Sequence, residues 1–597
     1  MVKRYKSKKM NDMKKNIFNQ MAKKGFYLLL YSLTPLFLVG CNDFLTIYPT
    51  DKTIGEDFWK SKEDVKNMVT GAYGQMISEG CQEKAIVWGA FRSDELVQCR
   101  ENTNSNLQNI SAVNLLPTNG YNTWENFYSV INRCNIVLNH IGEVLEVDPA
   151  FTQGDYDEAR AQMLALRSLC YFYLVRTFRD VPYTTQSYED DDQEMLIPQT
   201  TPDSVLQYCI NDLLESERYI MKTGAYGAGN WRNKGYFTTD AVRALLADIY
   251  LWRASMTHNE DDYRKCVEYA DKIITAKDEY YKTINAGRPS QTEEDIYHLA
   301  EGGADMFSEL FDQRNSHESI LEWQYNSDNT GVAKYYVNGQ ANHGILMASK
   351  IFTRFEANAN TDQGQVAFHS RNDYRFWMSI YDAYETKSIE EYDIRKMVDN
   401  TYQYLGNPSS AKGKEKPNNM KATSRNWIVY RLTDVMLMKA EALVQLATDA
   451  DDDDALKRAF HLVQTVNKRS MYRLASDTLQ QSAYKSKEQM EFLVLAERGR
   501  ELCFEGKRWY DLMRYSYRHM EGVDIKTKLA DKTEWPALYD GMIKLVIRKY
   551  ASGGDAVSYK MKSEPFLYWP VLERELRVNK LLKQNPVYIQ DETMTKY

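Results

Sequence analysis

Apolar side chains recur at spacings of three and four residues along much of the chain, which predicts amphipathic helices rather than strands. The first clear helix begins at Ser61-Lys62-Glu63-Asp64, which has the form of a capping box. The residues expected on its buried face are Val65, Met68, Val69, Ala72, Tyr73 and Met76. This segment therefore predicts a helix that packs one side against a neighbour.

Two longer helices are predicted next. The apolar stripe of the first consists of Trp124, Tyr128, Ile131, Asn135 and Leu138, and that of the second of Ala159, Met163, Leu166, Cys170 and Tyr173. Because Asn135 lies within an apolar stripe, its side-chain amide needs a hydrogen-bond partner in the folded protein. Pro182 cannot continue a helix, so we expect the second helix to stop before Asp180-Val181-Pro182.

Two pairs of consecutive helical segments follow, TTDAVRALLADIYLWRA with DYRKCVEYADKIIT and RLTDVMLMKAEALVQLA with ALKRAFHLVQTVNKR. Each pair has alanines where two helices would approach closely, namely Ala244 and Ala247 with Ala270, and Ala440 with Ala459. Ala440 and Ala459 lie nineteen positions apart, which is the separation of the small packing positions in a tetratricopeptide repeat. These pairs predict stacked helical hairpins, which form a rigid scaffold.

Helical periodicity lapses between residues 281 and 430. The segment ESILEWQYN alternates like a strand, aromatic residues cluster in KYYVNG and NDYRFWMSIYDAY, and NPSSAKGKEKPNNMK has the composition of a loop. We expect short strands and irregular structure here, laid over the helical scaffold. Loops held by a rigid body are where binding residues concentrate.

The predicted fold is therefore mainly α, with a tetratricopeptide-like hairpin scaffold and a loop-rich region that carries short strands. Few Gly and Pro residues and no Ser/Pro/Gly linker interrupt the chain, so we expect residues 41–597 to form one compact body. Within it we distinguish a helical part at 41–280, an irregular ligand-facing part at 281–430 and a C-terminal part at 431–597.

The cysteines do not predict a disulfide framework. Apart from Cys41, which lies at the end of an N-terminal apolar run, the chain has seven cysteines, an odd number, and none of them has CxxC spacing. Cys134, Cys170, Cys266 and Cys503 occupy apolar positions of predicted helices, where a free thiol behaves as a small hydrophobic group. We expect these seven thiols to be mostly buried.

The N-terminus reads as an export signal. A basic segment precedes the apolar run Phe26 to Val39, which is shorter than the roughly twenty residues of a spanning helix. The run ends in Leu38-Val39-Gly40-Cys41, which resembles the bacterial lipobox. Residues 1–40 would then be a lipoprotein signal peptide and Cys41 an acylated N-terminus that anchors the chain by lipid. A non-lipidated signal peptide is the alternative.

Removal of residues 1–40 makes the chain markedly acidic. The segment contains nine Lys or Arg and one acidic residue, so the remainder has 66 basic and 82 acidic side chains and a net charge of −16. An acidic protein is a poor ligand for nucleic acid, and its own surface is not attracted to anionic lipid. We therefore expect no nucleic-acid partner.

The segment AERGRELCFEGKRWYDLMR resembles a signature of the SusD/RagB family of Bacteroidetes outer-membrane lipoproteins. The matching residues are Glu497, Arg498, Glu501, Leu502, Phe504, Glu505, Gly506, Arg508, Trp509, Asp511, Leu512 and Arg514. Further pieces follow the family order, namely CNDFL, the helix of Trp124, Tyr128 and Asn135, the helix ending in DVP, RLTDVMLMKAEAL and QNPVY. Val587 departs from the more usual Q-N-P-G-Y.

The signature has the physical character of packing rather than of chemistry. Helical spacing places Glu497 and Glu501 on one face, with Arg498 and Glu505 available for further ion pairs. Gly506 suits a helix C′ position before the next helix begins near Arg508. We interpret these residues as buried, mutually paired charges that dock helices.

The sequence carries no HExxH, Walker A, GxSxG, GxGxxG or Cys/His zinc spacing. We therefore expect that the protein is not an enzyme and that it has no catalytic residues, no cofactor and no metal ligands. The acidic runs Asp449, Asp451, Asp452, Asp453, Asp454 and Glu189 to Asp192 read as solvated loops, because they lack the Gly and terminal Glu of an EF-hand. Structural calcium remains an alternative.

Aromatic residues are the best candidates for binding, since sugars pack C–H faces on aromatic rings. Trp124, Trp252, Trp427 and Trp509 read as core, and Trp323 lies in the predicted strand. The ligand-binding candidates lie in the stretch before Trp124, which reads as non-helical, and in the irregular region. They are Trp88, Arg100, Tyr335, Tyr336, Tyr374 and Trp377. Both stretches resemble places where the SusD/RagB family carries ligand contacts.

The resemblance implies a glycan-binding lipoprotein at the outer membrane, displayed to the exterior, that captures a polymer fragment. It also implies a partner, a SusC-like TonB-dependent transporter barrel over which the protein sits as a lid. Alternatives are a RagB-like oligopeptide receptor, a surface glycan hydrolase, and a structural lid without ligand affinity.

Overall fold

A computed structural model of the chain describes residues 58–190, 193–285, 296–300, 302, 304–326, 335–336, 344–352, 367–368, 370, 372–380, 391–397, 425–448, 453–471, 479–550 and 552–589. The predicted signal peptide, Cys41 and the predicted loop at 407–421 lie outside these residues. The predictions made for those segments therefore stay predictions.

Helices dominate the described chain, which confirms the mainly α fold class. They are α1 Lys62–Met76, α2 Glu79–Ile86, α3 Ser105–Ser111, α4 Glu125–Val147, α5 Gln153–Phe178, α6 Pro202–Tyr219, α7 Arg232–Gly235, α8 Thr239–Thr257, α9 Glu260–Ile284, α10 Ala304–Phe307, α11 Tyr374–Ser379, α12 Leu432–Leu446, α13 Asp454–Ser470, α14 Lys487–Glu501, α15 Arg508–Arg518, α16 Asp540–Ile547, α17 Gly554–Lys560 and α18 Glu573–Val578. One π-helical turn, Val87–Phe91, continues α2, and a second, Ser308–Asp312, continues α10.

The strands are short and pair antiparallel. They are β1 Leu96–Gln98, β2 Val181–Pro182, β3 Gln199–Thr200, β4 Ser319–Trp323, β5 Leu346–Ser349, β6 Glu391–Tyr392 and β7 Trp427–Arg431. The sheet β1-β5-β6 aligns Leu96 with Ala348 and Ala348 with Tyr392, and β4 pairs with β7. The strand predicted within ESILEWQYN is confirmed as β4.

Local sequence signals set several helix ends. Ser61 caps α1, and its side chain and that of Asp64 bond reciprocally to each other's backbone N–H, as the capping box predicts. Helix α5 ends at Phe178, just before Asp180-Val181-Pro182. Inside α4, the Asn135 amide donates to the carbonyl oxygens of Thr184 and Gln186. The polar residue in that stripe therefore has the partners it needs.

The helices stack in chain order. Helix α1 packs on α4, α4 on α5, α5 on α6, α6 on α8, α8 on α9, α9 on α12, and α12 on both α13 and α14. The alanines predicted at the close contacts, Ala244, Ala247, Ala270, Ala440 and Ala459, have no exposed surface. The prediction of stacked helical hairpins is confirmed.

The interior follows the sequence interpretation for cysteine and most tryptophans. Cys81, Cys99, Cys134, Cys170, Cys209, Cys266 and Cys503 are free and buried, and Trp124, Trp252, Trp323, Trp427 and Trp509 belong to the core. The chain from Trp59 onward clusters as one unit. Helix α9 runs through the predicted boundary at residue 280, and the division into three parts stays a prediction.

Candidate functional site

The signature segment of α14 and α15 lies in the interior and organises two clusters of buried charge. In the first, Glu501 accepts hydrogen bonds from Arg375 at 2.9 Å, from Arg431 at 2.5 Å and from Arg469. Burial alone would raise the pKa of the Glu501 carboxyl, but the charges of these three arginines lower it well below its usual value. Glu501 therefore joins α14 to α11, β7 and α13.

The second cluster lies one helical turn away. Arg498 donates to Asp434 at 2.9 Å and forms an ion pair with Asp511, and Arg514 binds Glu441 through two nitrogens, each at 2.8 Å. Burial opposes ionisation of Asp434, yet Lys507 and Arg498 hold its pKa at about 2. These pairs confirm the interpretation of the signature as mutually paired charges that dock helices.

Gly506 has a role other than the one predicted. Helix α14 ends at Glu501 with Leu502 as its cap, so Gly506 is not the C′ residue. Its φ of +69° lies in the left-handed region that favours glycine. A Cβ on Gly89 would approach the carbonyl oxygen of Gly506 to 1.9 Å, so the π-helical turn and the loop before α15 meet backbone to backbone.

Four of the six ligand-binding candidates, Trp88, Tyr335, Tyr336 and Trp377, are buried in the structure, and their role as ligand contacts stays a prediction. Trp88 lies in the π-helical turn, and its Nε1 donates to the Tyr121 carbonyl oxygen at 2.9 Å. The hydroxyl of Tyr336 donates to the Phe504 carbonyl oxygen at 2.9 Å. Tyr335 is 3% exposed and Trp377 is 9% exposed. Core packing is the common fate of an aromatic ring, and the polar ends of Trp88 and Tyr336 are satisfied inside.

The other two candidates are more accessible. Arg100 is exposed and follows β1, and Tyr374 is half-buried at the start of α11. The loop after β1 is held by its own side chains, because Gln98 Nε2 donates to the Asn102 and Asn104 carbonyl oxygens and Asn104 caps α3. The antiparallel bridge between Ile380 and Ile394 ties the segment after α11 to the strand segment of β6. Arg100 and Tyr374 thus lie on segments fixed to the sheet β1-β5-β6.

A cleft of about 600 Å³ is lined in part by Asp373, the residue before Tyr374. Its walls come from α13, α14, the segment at 479–484 and Asp373, the residue that caps α11. The lining side chains that bear on binding are Asp373, Asn467, Tyr484, Arg500 and Tyr515. The cleft combines aromatic rings with polar groups, which is the character of a ligand site.

Asn467 distinguishes this cleft. The residue is buried, yet its Oδ1 has no hydrogen-bond partner among the described residues. Arg500 and Asp373 are already engaged, Arg500 with Glu497 and Asp373 with Arg375. A buried acceptor without a partner costs free energy, so a ligand hydroxyl at Asn467 would remove a penalty.

The sequence interpretation missed Asn467 and Tyr484, although a signal for Asn467 was present. Asn467 follows Leu456, Phe460 and Val463 at spacings of four, three and four on the apolar face of α13. It is therefore a polar residue in an apolar stripe, as Asn135 is in α4. Tyr484 carries no such signal, because it lies in a short polar segment without periodicity.

Within the part of the chain that the structure describes, no three His, Cys, Asp or Glu side chains come together as a metal site. Asp453 instead caps α13, and Glu189 accepts a hydrogen bond from His140. Asp449, Asp451, Asp452 and residues 191–192 lie outside the described residues, and the calcium alternative stays untested. None of the described helices is long and apolar enough to cross a membrane.

Comparison with known families gives two matches in series. Residues 246–588 match the model of the SusD family, and residues 43–251 match a model described as starch-binding associating with outer membrane. Together the two matches extend from near the N-terminus to residue 588.

Individual relatives are named as SusD-like proteins, in agreement with the family match. SusD-like protein P38 of Formosa agariphila is 24% identical over 546 residues, which cover 87% of this chain and 96% of the relative. A SusD-like protein of Bacteroides ovatus is 22% identical, and the match covers 82% of both chains.

Solved structures share the fold. A crystal structure of a SusD superfamily protein from Bacteroides vulgatus aligns with a TM-score of 0.60 at 17% identity, over 89% of this chain and all of the other. One from Bacteroides thetaiotaomicron aligns with a TM-score of 0.58 at 20% identity, over 89% and 99%. At these identities the structures show a shared fold.

Proposed function

The chain belongs to the SusD family, and from that premise we propose that it is a glycan-binding lipoprotein of the outer membrane. In this role it captures oligosaccharides or polysaccharide ends at the cell surface and serves as the lid of a SusC-like TonB-dependent transporter. It binds and releases ligand without making or breaking a bond.

The observation that carries the glycan proposal is the cleft beside α13 and α14. Its volume of about 600 Å³ falls within the roughly 300–1,000 Å³ of small-molecule sites. Tyr484 is half-buried at its edge and offers a ring face, and Asn467 offers an acceptor that lacks a partner among the described residues. Sugars present apolar C–H faces and hydroxyl donors, which are the complements of these two groups.

The buried charge clusters support the same role indirectly. Glu501, Arg431 and their neighbours fix the walls of the cleft, since α13 and α14 contribute both the lining residues and the ion pairs. A site whose walls are already in place loses less conformational entropy when ligand binds. Arg100 and Tyr374 remain proposed ligand contacts.

The anchor and the partner rest on the N-terminal sequence and on the family. We place the lipid on Cys41 after removal of residues 1–40, with the protein facing the exterior. The test of the anchor is mass spectrometry of the N-terminal peptide from the natural host, with Cys41→Ser as the variant that should lose the acyl mass. The test of the partner is affinity purification of the intact lipoprotein from detergent-solubilised outer membranes. A TonB-dependent barrel in equal amount is the expected result.

The first test of ligand capture is a thermal-shift screen of the chain without residues 1–40 and with Cys41 replaced. The panel contains neutral and acidic oligosaccharides and a pool of oligopeptides. A ligand at 100 times its Kd should stabilise the folded protein by about 2.7 kcal/mol, which is readily measured as a rise in melting temperature. Tyr484→Ala should abolish the shift. Tyr559→Ala should retain it, because Tyr559 is 72% exposed and does not line the cleft.

The outcomes separate the alternatives. Stabilisation by peptides alone would favour the RagB-like oligopeptide receptor. Product release from a polysaccharide would indicate a hydrolase, and silence across the panel would overturn ligand capture and leave the structural lid. Equal loss of the shift in Tyr484→Ala and Tyr559→Ala would remove the cleft from the proposal.

A further inference from the structure

A second groove, remote in sequence from the cleft, lies between α1, α5 and the loop that precedes α7. Its volume is about 210 Å³. The side chains that matter for binding are Lys62, Asp155, Glu158, Tyr226, Arg232 and Tyr236. Trp231 flanks the groove, with its ring packed edge-on against the ring of Tyr236 at 5.5 Å.

The loop that carries these aromatic residues is fixed by two asparagines. The Asn233 side chain accepts from the backbone N–H groups of Gly224 and Tyr226 and donates to the Gly227 carbonyl oxygen. The Asn230 side chain donates to the Tyr226 carbonyl oxygen and accepts from the Arg232 N–H. The loop therefore holds its shape without a ligand.

The ring of Tyr236 is held just as firmly. It stacks on Tyr73, with 4.5 Å between ring centroids. Thr70 donates its single hydroxyl hydrogen to the Lys66 carbonyl oxygen at 2.8 Å, so the Tyr236 hydroxyl is the donor in its 3.2 Å contact with Thr70. Tyr236 is thus a positioned wall of the groove.

Trp231 is the most exposed aromatic residue here, with 44% of its surface accessible. Gly235 lies under its ring, because a Cβ at that position would approach ring carbons to 2.7 Å. The indole is therefore seated against backbone on one side and open on the other. An open, fixed aromatic face is a suitable platform for the C–H face of a sugar.

The charges in the groove are unevenly matched. Lys62 pairs with Asp155 at 2.7 Å, and Glu158 accepts from the Tyr226 hydroxyl at 2.7 Å, so both carboxylates have partners. Arg232 differs, because its guanidinium has no hydrogen bond or ion pair to any described residue, and its Nε is buried. Its guanidinium carbon lies 5.7 Å from the Trp231 ring centroid and 6.0 Å from that of Tyr236.

The Arg232 guanidinium lies near two aromatic rings and has no acidic partner among the described residues, so it is available to bind an anion. Guanidinium groups bind carboxylate and sulfate through two parallel hydrogen bonds. With Lys66 also on the wall, the groove has three cationic and two anionic side chains, in a chain whose net charge is −8. Its local charge is therefore opposite in sign to that of the whole chain.

We propose that this groove binds an acidic sugar residue, with the carboxylate or sulfate at Arg232 and the apolar ring face against Trp231. The proposal rests on glycan capture as the function, and it adds a second site with a defined ligand class. A neutral sugar would leave Arg232 without a partner and is expected to bind more weakly.

The experiment is isothermal titration calorimetry of the chain without residues 1–40 and with Cys41 replaced. The probes are trigalacturonate, its methyl ester and galactose 6-sulfate. Trigalacturonate carries carboxylates and no sulfate, and galactose 6-sulfate carries a sulfate and no carboxylate, so the two kinds of recognition are separated. We expect one acidic probe to bind about tenfold more tightly than the ester. Arg232→Gln should abolish that preference, and Trp231→Ala should weaken all groove binding by about tenfold or more.

Matched controls come from elsewhere on the surface. Arg264→Gln removes an exposed arginine that pairs with Glu260 and Asp261, and Tyr559→Ala removes an exposed ring, so both should bind as the parent does. Trp231→Phe keeps a ring and should retain most of the affinity. Circular dichroism and the melting temperature of each variant show that it is folded.

Two results would overturn the proposal. One is an acidic probe that binds no more tightly than its ester, and the other is Arg232→Gln behaving as Arg264→Gln does. Neutral glycans that bind the parent in either case would leave the general function intact and remove only the groove. Failure of every glycan in the wider screen would remove both.

Discussion

Asp94 and Arg508 are separated by 414 residues in the sequence, yet their side chains form a buried two-pronged ion pair. Arg508 Nε lies 2.9 Å from Asp94 Oδ1, and Nη2 lies 3.0 Å from Oδ2. Arg548 Nε donates to the same carboxylate at 2.9 Å. The segment before β1 is thereby joined to α15 and to the end of α16.

Asp94→Asn should destabilise the protein strongly. The amide cannot balance the charges of Arg508 and Arg548, and removal of one partner of a buried pair costs about 3–5 kcal/mol. The free energy of unfolding from urea denaturation measures the effect. Asp540→Asn is the matched control, because Asp540 pairs with Lys544 on the exposed face of α16 and its loss should leave the midpoint nearly unchanged. Equal effects would contradict the structural role of Asp94.

Glu95 predicts a pH dependence. Burial, together with the nearby charge of Asp94, raises the pKa of its carboxyl from 4.5 to about 8, against the hydrogen bond from the Phe504 N–H. Between these pH values the folded protein holds a proton that the unfolded chain releases. The free energy of unfolding therefore falls as pH rises through this window.

Glu95→Gln mimics the protonated acid and should remove that loss. We expect the variant to gain stability relative to the parent as pH rises from 5 to 9, by more than about 1 kcal/mol over the window. Urea midpoints at four pH values measure the difference. Glu521→Gln, at an exposed position, should show a constant offset. A Glu95→Gln offset that is flat with pH would show that the carboxyl is ionised throughout.

Two glycine-to-alanine substitutions should change stability in opposite directions, because Gly89 contacts the Gly506 backbone whereas Gly74 has open space around it. Gly89→Ala would push a methyl group to 1.9 Å from the Gly506 carbonyl oxygen and should cost at least about 1–3 kcal/mol. Gly74→Ala lies in α1 with nothing within 4 Å of the new Cβ and should stabilise by about 0.5–1 kcal/mol. Thermal unfolding of both variants tests the pair, and a loss in Gly74→Ala would contradict it.

The seven described cysteines should be unreactive in the folded protein. All are buried, and burial raises the pKa of the Cys81 thiol to about 12, which suppresses the reactive thiolate. Iodoacetamide at pH 8 should modify none of them in native protein and all seven in 6 M guanidinium. Mass spectrometry of a sample with Cys41 replaced gives the count. Rapid modification of any one cysteine would place it on a mobile surface.

Periodicity predicted much of the scaffold because helix burial leaves a strong local pattern. The capping box at Ser61, the partners required by Asn135 and the close alanines Ala440 and Ala459 all follow from neighbours within one or two turns. The signature residues were interpreted as packing charges on similar local grounds. Their ion-pair partners, such as Asp94 for Arg508, lie in distant segments, so the local sequence could not identify them.

The candidate ligand-binding residues were harder to choose from the sequence, because an aromatic residue in a non-periodic stretch has the same local pattern whether its ring is buried or exposed. Trp88 lies in a π-helical turn, whose spacing departs from the 3.6-residue period. Trp231, which is exposed, stands beside an equally uninformative Gly-rich stretch. Exposure of a ring depends on tertiary contacts, so only the folded structure distinguishes the two.

The convergence of Arg375, Arg431 and Arg469 on Glu501 bears on the order in which the protein is made. Ribosomal synthesis runs from the N-terminus, so the three cations emerge before the acid they share. A chain that stops short of residue 501 holds three arginines whose common counter-ion does not yet exist. A product that ends before residue 501 therefore cannot complete this part of the interior, and its exposed apolar surface would make it prone to aggregation.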